Sequence, residues 1–406
     1  MATPDHTPFG RGYAKARSYL DGANDYWSSA TAGICSGPVV DLFSETSPAY
    51  GQNSTPSCGQ SSQNGAGCNY EDDLFTNFTI DAIASHDTSA GPMFIYFAPH
   101  SNHLPLEVPD AQLAKFASVD EPARRNYAAM NNYVDFHVGQ VVDALKAAGM
   151  WENTIMVVTA DNGGPIFGPS SQCRTCDGSA GASNYPLRGS KHSPFEGGIR
   201  SNAFVSGGLV PVSQRGTTRE GLVAIEDWYR TFAGLAGADP NDERAAAAGL
   251  PPVEGYDMWP YLSGANATSP RTEVPIGSSG DGISDGATII QGLLRADGSK
   301  ILWDSCDFPV WTGPIYPNKT TASAKWQNIP LDCGTLEAPK CLFNVFSDPT
   351  EHNNLADSLP DIVAEMSARL IAINATLFSP NRGTPYPSAC KTCQTVWHGF
   401  AGPFMP

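Results

Sequence analysis

The segment that most constrains the fold is an apolar, β-branched run at residues 154–160, which stops at Asp161 and Asn162 and is followed by two glycines. The run is short, rich in Val, Ile and Thr, and bounded by a turn signal, so it predicts a buried strand. In open α/β sheets, ligands bind just beyond the carboxyl ends of strands. The oxygens of Asp161 and Asn162 suit a hard cation such as Ca²⁺ or Mg²⁺, although the same residues also form ordinary turns.

The residues before this run complete a strand–helix–strand order. Residues 94–98 read as a short apolar strand, and apolar side chains recur at three- and four-residue spacing over residues 121–149, which predicts a helix. This order is the βαβ unit of a parallel or mixed sheet, so the sequence predicts an α/β fold. A further strand is predicted at residues 203–206 and a further helix at residues 225–236.

A change of character near residue 265 predicts two domains, residues 1–265 and residues 266–406. Residues 266–275 are polar and interrupted by proline, which favours a linker. The predicted elements beyond it are strands at 287–295, 300–304 and 341–346 and a helix at 360–377. Asp297-Gly298 marks a hairpin between the first two strands. The second domain is therefore predicted to be a small α+β subdomain.

The charge balance limits the partners of the chain. The formal net charge of −17 argues against nucleic acid and against an anionic membrane surface. Local basic residues can still hold an anionic substrate inside an acidic protein. No run approaches the ~18 apolar residues that a membrane span needs, and the first 25 residues lack the apolar core of a signal peptide.

Ten cysteines and five N-x-S/T sequons predict an oxidising, secretory environment, either lysosomal or extracellular. The sequons begin at Asn53, Asn77, Asn266, Asn318 and Asn374. Residues 28–70 read as a long surface loop, pinned through Cys35, Cys58 and Cys68.

Two further cysteine pairs allow local bridges. Cys390 and Cys393 are predicted to staple the tail. Cys173 and Cys176 form either a local disulfide or two longer bridges, because a zinc site would need two more ligands and none stands nearby.

Several motifs resemble a known family in collinear order. They are residues 97–109 around His103, residues 159–164, residues 186–200 from Pro186-Leu-Arg-Gly-Ser-Lys191 to Arg200, and residues 347–355, with an opening match at residues 7–13 and at Asp25-Tyr26. Over roughly residues 7–380 the chain resembles the sulfatase family of the alkaline-phosphatase-like superfamily, most closely the arylsulfatase B type. The resemblance implies that family's mixed sheet flanked by helices.

The resemblance also implies a chemistry, the hydrolysis of a sulfated glycan or aryl sulfate. Such a reaction needs a nucleophile, cations on the sulfate oxygens, an acid for the leaving oxygen and a metal. By resemblance, Asp161 and Asn162 supply part of a Ca²⁺ site, Lys191 contacts the sulfate, and His103 donates to the bridging or leaving oxygen. His100 is an alternative to His103, or the two histidines flank a metal.

Each assignment has a structural alternative. His103 could be a loop histidine that bonds a carbonyl, and Lys191 with Arg188 could be solvated surface charges. Glu196-Gly197-Gly198 is interpreted as structural, because its glycines allow close backbone packing.

The family's nucleophile motif, Cys/Ser-x-Pro-x-Arg, does not occur in these residues. The Ser-x-Pro at residues 54–56 is interpreted as a chance match. The family's Asp-Asp metal pair and its Gly-Lys-Trp-His segment are also absent, and all belong before residue 7. The resemblance therefore implies an N-terminally truncated chain that has negligible sulfatase activity on its own.

Two alternatives to a sulfatase remain open. One is a sulfatase-like protein that binds sulfated glycans without turning them over. The other is an alkaline-phosphatase-like phosphodiesterase, which would bind two zinc ions and which the Lys191 stretch argues against.

Overall fold

The structure is a computed structural model that describes residues 2–31, 35, 37, 39–52, 68–166, 180–278, 289–314, 329–377, 386 and 388–405. Its α-helices are α1 (Glu71–Ala84), α2 (Asp110–Leu113), α3 (Pro122–Ala147), α4 (Glu196–Ile199), α5 (Asp227–Leu235), α6 (Glu243–Ala247), α7 (Trp259–Leu262), α8 (Pro360–Asn374) and α9 (Ser388–Thr395).

The strands of the described residues are mostly short. They are β1 (Arg17–Ser18), β2 (Ala30–Thr31), β3 (Val39–Val40), β4 (Phe43–Ser44), β5 (Ser47–Pro48), β6 (Met156–Thr159), β7 (Ala203–Ser206), β8 (Glu273–Ser278), β9 (Ile289–Arg295), β10 (Ser299–Leu302), β11 (Ser305–Cys306), β12 (Leu331–Asp332) and β13 (Cys341–Asn344). In the described residues, no helix is long and apolar enough to cross a lipid bilayer.

The long helix α3 confirms the prediction for residues 121–149. Glu121 caps it by accepting a hydrogen bond from Arg124 N, and Pro122 occupies its first turn, where the missing N–H is not needed. Its buried side chains recur every three or four residues and include Met130, Tyr133 and Val141. They pack against α1 and against Tyr26, Tyr70 and the loop before α2.

Helix α1 was not predicted from the sequence. It buries Glu71, Asp72, Thr76 and Thr79 beside Phe75 and Ile83, so its inward face is largely polar and lacks the apolar stripe of an amphipathic helix. The Asp73 carboxylate accepts hydrogen bonds from α3, through the Tyr133 hydroxyl at 2.6 Å and His137 Nε2 at 2.9 Å.

The strand predicted at residues 154–160 does form, as β6, but the prediction that it is buried was wrong, because β6 remains partly exposed. It pairs antiparallel with β7. The strand predicted at residues 94–98 was also wrong, because the described residues place no strand beside it and it forms no backbone ladder. The βαβ unit is therefore not formed by these elements.

The C-terminal sheet has the strand order β13-β10-β9-β8, and every ladder in it is antiparallel. The predicted hairpin at Asp297-Gly298 is confirmed, and Gly298 has a φ of +82° that other residues rarely adopt. Helix α8 covers one face through Met366 and Leu370. Strand β8 was missed because it includes Pro275, which argues against a strand.

A long-range disulfide joins Cys35 to Cys390, with Cα atoms 5.5 Å apart. The predicted staple between Cys390 and Cys393 is therefore wrong, and Cys393 is a buried free thiol. The reason is tertiary: Val40 N donates to Gly399 O at 3.0 Å, which brings the tail onto β3 and next to Cys35. Cys58, Cys173 and Cys176 lie outside the described residues.

Candidate active site

Asp161 and Asn162 lie in the turn that directly follows β6, as predicted. Asp161 is exposed, and Asn162 is half-buried with its Nδ2 donating to Gly163 O at 2.9 Å. Gly163 N donates to Gly198 O at 2.8 Å. A Cβ at position 163 would lie 1.8 Å from Gly197 O, so this turn and α4 approach as closely as only glycine permits.

The loop that carries Lys191 is hydrogen-bonded to the same turn. Lys191 N donates to Gly164 O at 3.3 Å, and Ile166 N donates to Ser190 Oγ at 3.1 Å. The Lys191 side chain is half-buried. The two motifs, which lie thirty residues apart in the chain, are thus neighbours in space.

Asn184 forms hydrogen bonds to both segments, and this role was not predicted from the sequence. Its Oδ1 accepts from Gly164 N at 3.0 Å, while its Nδ2 donates to Gly164 O at 2.8 Å and to Gly189 O at 3.0 Å. The only sequence signal was an asparagine directly before Tyr185-Pro186, which reads as an ordinary turn residue.

His103 keeps an exposed surface at the end of the loop that follows residues 94–98. Its Nδ1 donates to Leu104 O at 2.8 Å, since a carbonyl only accepts. The Tyr26 hydroxyl donates to the His103 carbonyl at 2.9 Å and fixes the backbone. These contacts leave Nε2 as the ring nitrogen available to a ligand.

Electrostatics place the predicted site residues in one neighbourhood. Partial burial lowers the pKa of His103, and the Lys191 ammonium lowers it further, while the Asp161 carboxylate opposes the shift. Burial is also the main cause that raises the pKa of Tyr127, to which Asp161 adds. Lys191, His103 and Asp161 therefore lie close enough to feel each other's charges.

His100 differs from His103 in being buried, at 3% exposure. Its Nδ1 lies 2.9 Å from Glu71 Oε2, and its backbone N donates to Asp72 Oδ1 at 2.8 Å. Burial lowers the pKa of His100 to about 4. The His100 and His103 rings are stacked with centroids 5.9 Å apart.

The donor set at Asp161 and Asn162 fits part of a metal site. One carboxylate and one amide oxygen are hard ligands of the kind that Ca²⁺ takes, but that ion binds about 6–8 oxygens. In the described part of the chain, no group of three or more His, Cys, Asp or Glu side chains is arranged to hold a metal. The ion would need further oxygens besides these two.

Comparisons with known proteins agree on one family. The sulfatase family model matches residues 5–238, a range that includes His103, Asp161, Asn162 and Lys191. Arylsulfatase J of Mus musculus is 30% identical over 393 residues, which cover 92% of this chain and 58% of that protein. Arylsulfatase A of Bos taurus is 26% identical over 294 residues, which cover 72% of this chain and 50% of that protein. The chain spans little more than half the length of these relatives.

Solved structures share the fold. The crystal structure of Ps i-CgsB in complex with k-i-k-neocarrahexaose matches with a TM-score of 0.65 and 21% identity, and covers 98% of this chain and 73% of that one. The PsFucS1 sulfatase from Pseudoalteromonas sp. matches with a TM-score of 0.52 and 22% identity, over 75% of this chain and 52% of that one. The α/β, alkaline-phosphatase-like fold class predicted from the sequence is thereby confirmed. With more than half of its residues matched by the family model, the chain belongs to the sulfatase family.

Proposed function

We propose that this chain forms the sulfate-binding and proton-donating part of a sulfuric-ester hydrolase. The observation that supports the proposal is the gathering of Lys191, His103 and Asp161 around one solvent-facing region. A cation, a proton donor and a hard oxygen ligand are the groups that a sulfate monoester requires.

Lys191 and His103 have complementary roles in this proposal. The Lys191 ammonium binds a sulfate oxygen and balances the charge that develops as the ester bond breaks. His103 Nε2 donates a proton to the departing alcohol oxygen, because Nδ1 is already committed to Leu104 O. The same lysine that holds sulfate lowers the pKa of His103 and so makes its imidazolium a stronger acid.

Asp161 and Asn162 would hold a hard cation, for which we propose Ca²⁺. When bound, such an ion orients the sulfate group and acts as a Lewis acid. The two residues sit on a turn whose backbone is fixed by hydrogen bonds of Gly163 to Gly198 and of Gly164 to Asn184.

The nucleophile is not among the 406 residues, since no Cys/Ser-x-Pro-x-Arg motif occurs in them. We expect the formylglycine mechanism of the family for a protein that carries this motif, and negligible turnover for these 406 residues alone. If the natural protein begins at Met1, the missing motif favours a second candidate, a non-catalytic protein that binds sulfated glycans. The transcript sequence upstream of Met1 separates the two: an in-frame motif supports the enzyme, and a native protein mass that begins at Met1 supports the binder.

A secretory location, lysosomal or extracellular, follows from the same proposal. The Cys35–Cys390 and Cys333–Cys341 disulfides suit an oxidising compartment. Among the sequons, Asn266 is exposed in a loop and can accept a glycan. Asn374 is a poor acceptor because its amide is bonded to the Ile290 backbone.

Binding of 4-nitrophenyl sulfate to the full 406-residue chain tests the proposal. Calorimetric titration in the presence of CaCl₂ should give saturable binding that Lys191→Ala weakens by roughly tenfold or more, because a charge-assisted contact is lost. The matched control is Lys340→Ala, whose ammonium pairs with Asp332 at an exposed site.

Unchanged affinity in Lys191→Ala would contradict the proposed sulfate site. Release of 4-nitrophenol by the chain, abolished in Lys191→Ala, would instead contradict its inactivity. Zinc-dependent hydrolysis of bis(4-nitrophenyl) phosphate would favour the phosphodiesterase alternative.

A further inference from the structure

A fully buried lysine lies in the middle of β10. The Lys300 side chain has no exposed surface, and its Nζ lies 3.0 Å from Glu196 Oε1 and 2.8 Å from Glu351 Oε1. The Glu351 side chain is also fully buried and that of Glu196 nearly so. A buried ammonium is tolerated only when carboxylates compensate its charge, so each member of this group depends on the others.

Arg188 completes the group, which we call the Lys300 cluster: Arg188, Glu196, Lys300 and Glu351. Arg188 Nη1 donates to Glu351 O at 3.2 Å, and its guanidinium lies 4.1 Å from the centroid of the Phe195 ring. The group therefore holds two cations and two carboxylates, and its charges balance.

The cluster is directly connected to both segments of the candidate site through α4. Glu196 opens α4, and its backbone N donates to Glu351 Oε2 at 2.7 Å. Gly197 N donates to Arg188 O at 2.6 Å, three residues before Lys191. Gly198 O accepts from Gly163 N at 2.8 Å, next to Asn162.

Helix α4 cannot hold this arrangement by itself. It has four residues, and isolated helices shorter than about 12 residues are marginal in water. Two of its residues are glycines, which increase the conformational freedom of the unfolded chain. The fixed points of α4 are therefore its contacts with the Lys300 cluster.

We propose that the Lys300 cluster positions Lys191 and the Asp161–Asn162 turn relative to each other, and that Lys300 and Glu351 are positioning residues for sulfate binding. The inference rests on the proposed function for the role of Lys191. The C-terminal sheet carries no residue of the candidate site. In this proposal, its contacts with α4 keep the parts of that site in their relative positions.

Hydrogen exchange of the full chain with Lys300→Met tests the positioning. The substitution leaves two facing carboxylates without their ammonium, so amides of residues 161–164 and 188–198 should exchange roughly tenfold faster or more. Lys340→Met, which removes an exposed ammonium near the same sheet, should leave these amides unchanged. Unchanged exchange at residues 161–164 in Lys300→Met would overturn the proposal.

A second variant separates lost charge balance from a failure to fold. Lys300→Met combined with Glu196→Gln removes one cation and one carboxylate, so Arg188 and Glu351 remain as a balanced pair, and Glu351 Oε2 can still accept from the N–H at position 196. Exchange at residues 161–164 should be slower in this double variant than in Lys300→Met. An equally fast or faster exchange would overturn the proposal.

Protection of Lys191 by inorganic sulfate separates this inference from the proposed function. In the parent chain, sulfate should slow reductive methylation of Lys191, and this protection should fall at least severalfold in Lys300→Met although Lys191 is still present. Absence of protection in the parent would count against the proposed function alone, since the exchange experiment decides the positioning independently. Full protection retained in Lys300→Met would overturn the positioning role.

Discussion

The C-terminal sheet and residues 93–98 are both apolar, but they reach different states. In the sheet, β9 and β10 are paired along their lengths, and Leu293 and Ile301 have no exposed surface. Residues 93–98 alternate in exposure as a strand would, with Phe94 56% and Tyr96 75% exposed. Among the described residues, no backbone hydrogen bond pairs them with another segment, so an apolar pattern becomes a strand only where a neighbouring backbone completes its hydrogen bonds.

The candidate site lies between these two regions. His103 follows the unpaired segment, and the Asp161–Asn162 turn ends the thinly paired strand β6. Both the turn and the Lys191 loop are fastened to the well-packed sheet through Arg188 and Lys300. In our proposal, the sparsely paired region carries the chemistry, and the C-terminal sheet holds that region in place.

The largest expected effect is the loss of stability when a core side chain of the C-terminal sheet is truncated. Ile301→Ala should lower the free energy of unfolding by about 2–5 kcal/mol, because it opens a cavity between β10 and α8. Chemical denaturation followed by circular dichroism measures the change. A loss below about 1 kcal/mol would mean that this sheet is not part of the cooperative core.

A smaller effect is expected on the pKa of His103, which the nearby Lys191 ammonium lowers. Lys191→Met should raise the pKa of His103 toward its ordinary value, because the ammonium that disfavours the imidazolium is removed. Proton titration of the His103 ring by NMR measures the shift, with Lys340→Met as the control.

The lowered pKa of His103 also determines how the stability of the folded chain depends on pH. Since its pKa is lower in the folded chain, His103 contributes stability above the unfolded value, and this contribution is lost as the pH falls through the folded pKa. In a complete enzyme, the proton-donating form should decline as the pH rises through the same folded pKa. An unchanged or lower pKa in Lys191→Met would show that the two side chains do not interact.

The smallest effect is expected in the unpaired segment. Tyr96→Thr should change the free energy of unfolding by no more than about 0.5 kcal/mol, because the ring is already mostly in solvent. It should also reduce self-association, which exposed apolar strands promote and which light scattering measures. A loss of more than about 1 kcal/mol would mean that Tyr96 is buried in solution.

Elements governed by local sequence were predictable. Helix α3 follows from its apolar spacing, α8 from its apolar spacing and from Pro360 at its start, and the hairpin from Asp297-Gly298. His103, Asp161, Asn162 and Lys191 were identified through motif order, and their roles remain predictions. The domain boundary at residue 265 also remains a prediction.

Features decided by distant contacts were not predictable. The roles of Asn184 and Lys300 were not predicted, because Asn184 bonds to Gly164, 20 positions away, and Lys300 pairs with Glu196, 104 positions away. The pairing of β6 with β7 and the bridge from Cys35 to Cys390 likewise depend on which segments meet after folding. A local sequence pattern does not indicate which distant segments pair with each other in the folded chain.

The Cys35–Cys390 disulfide closes the chain into a covalent ring across 355 positions. A protease that cuts once anywhere between the two cysteines would open a loop without releasing a fragment. The nicked protein would run as one species on a gel without reductant and as two with it. Both halves of the candidate site would therefore stay on a single molecule after cleavage.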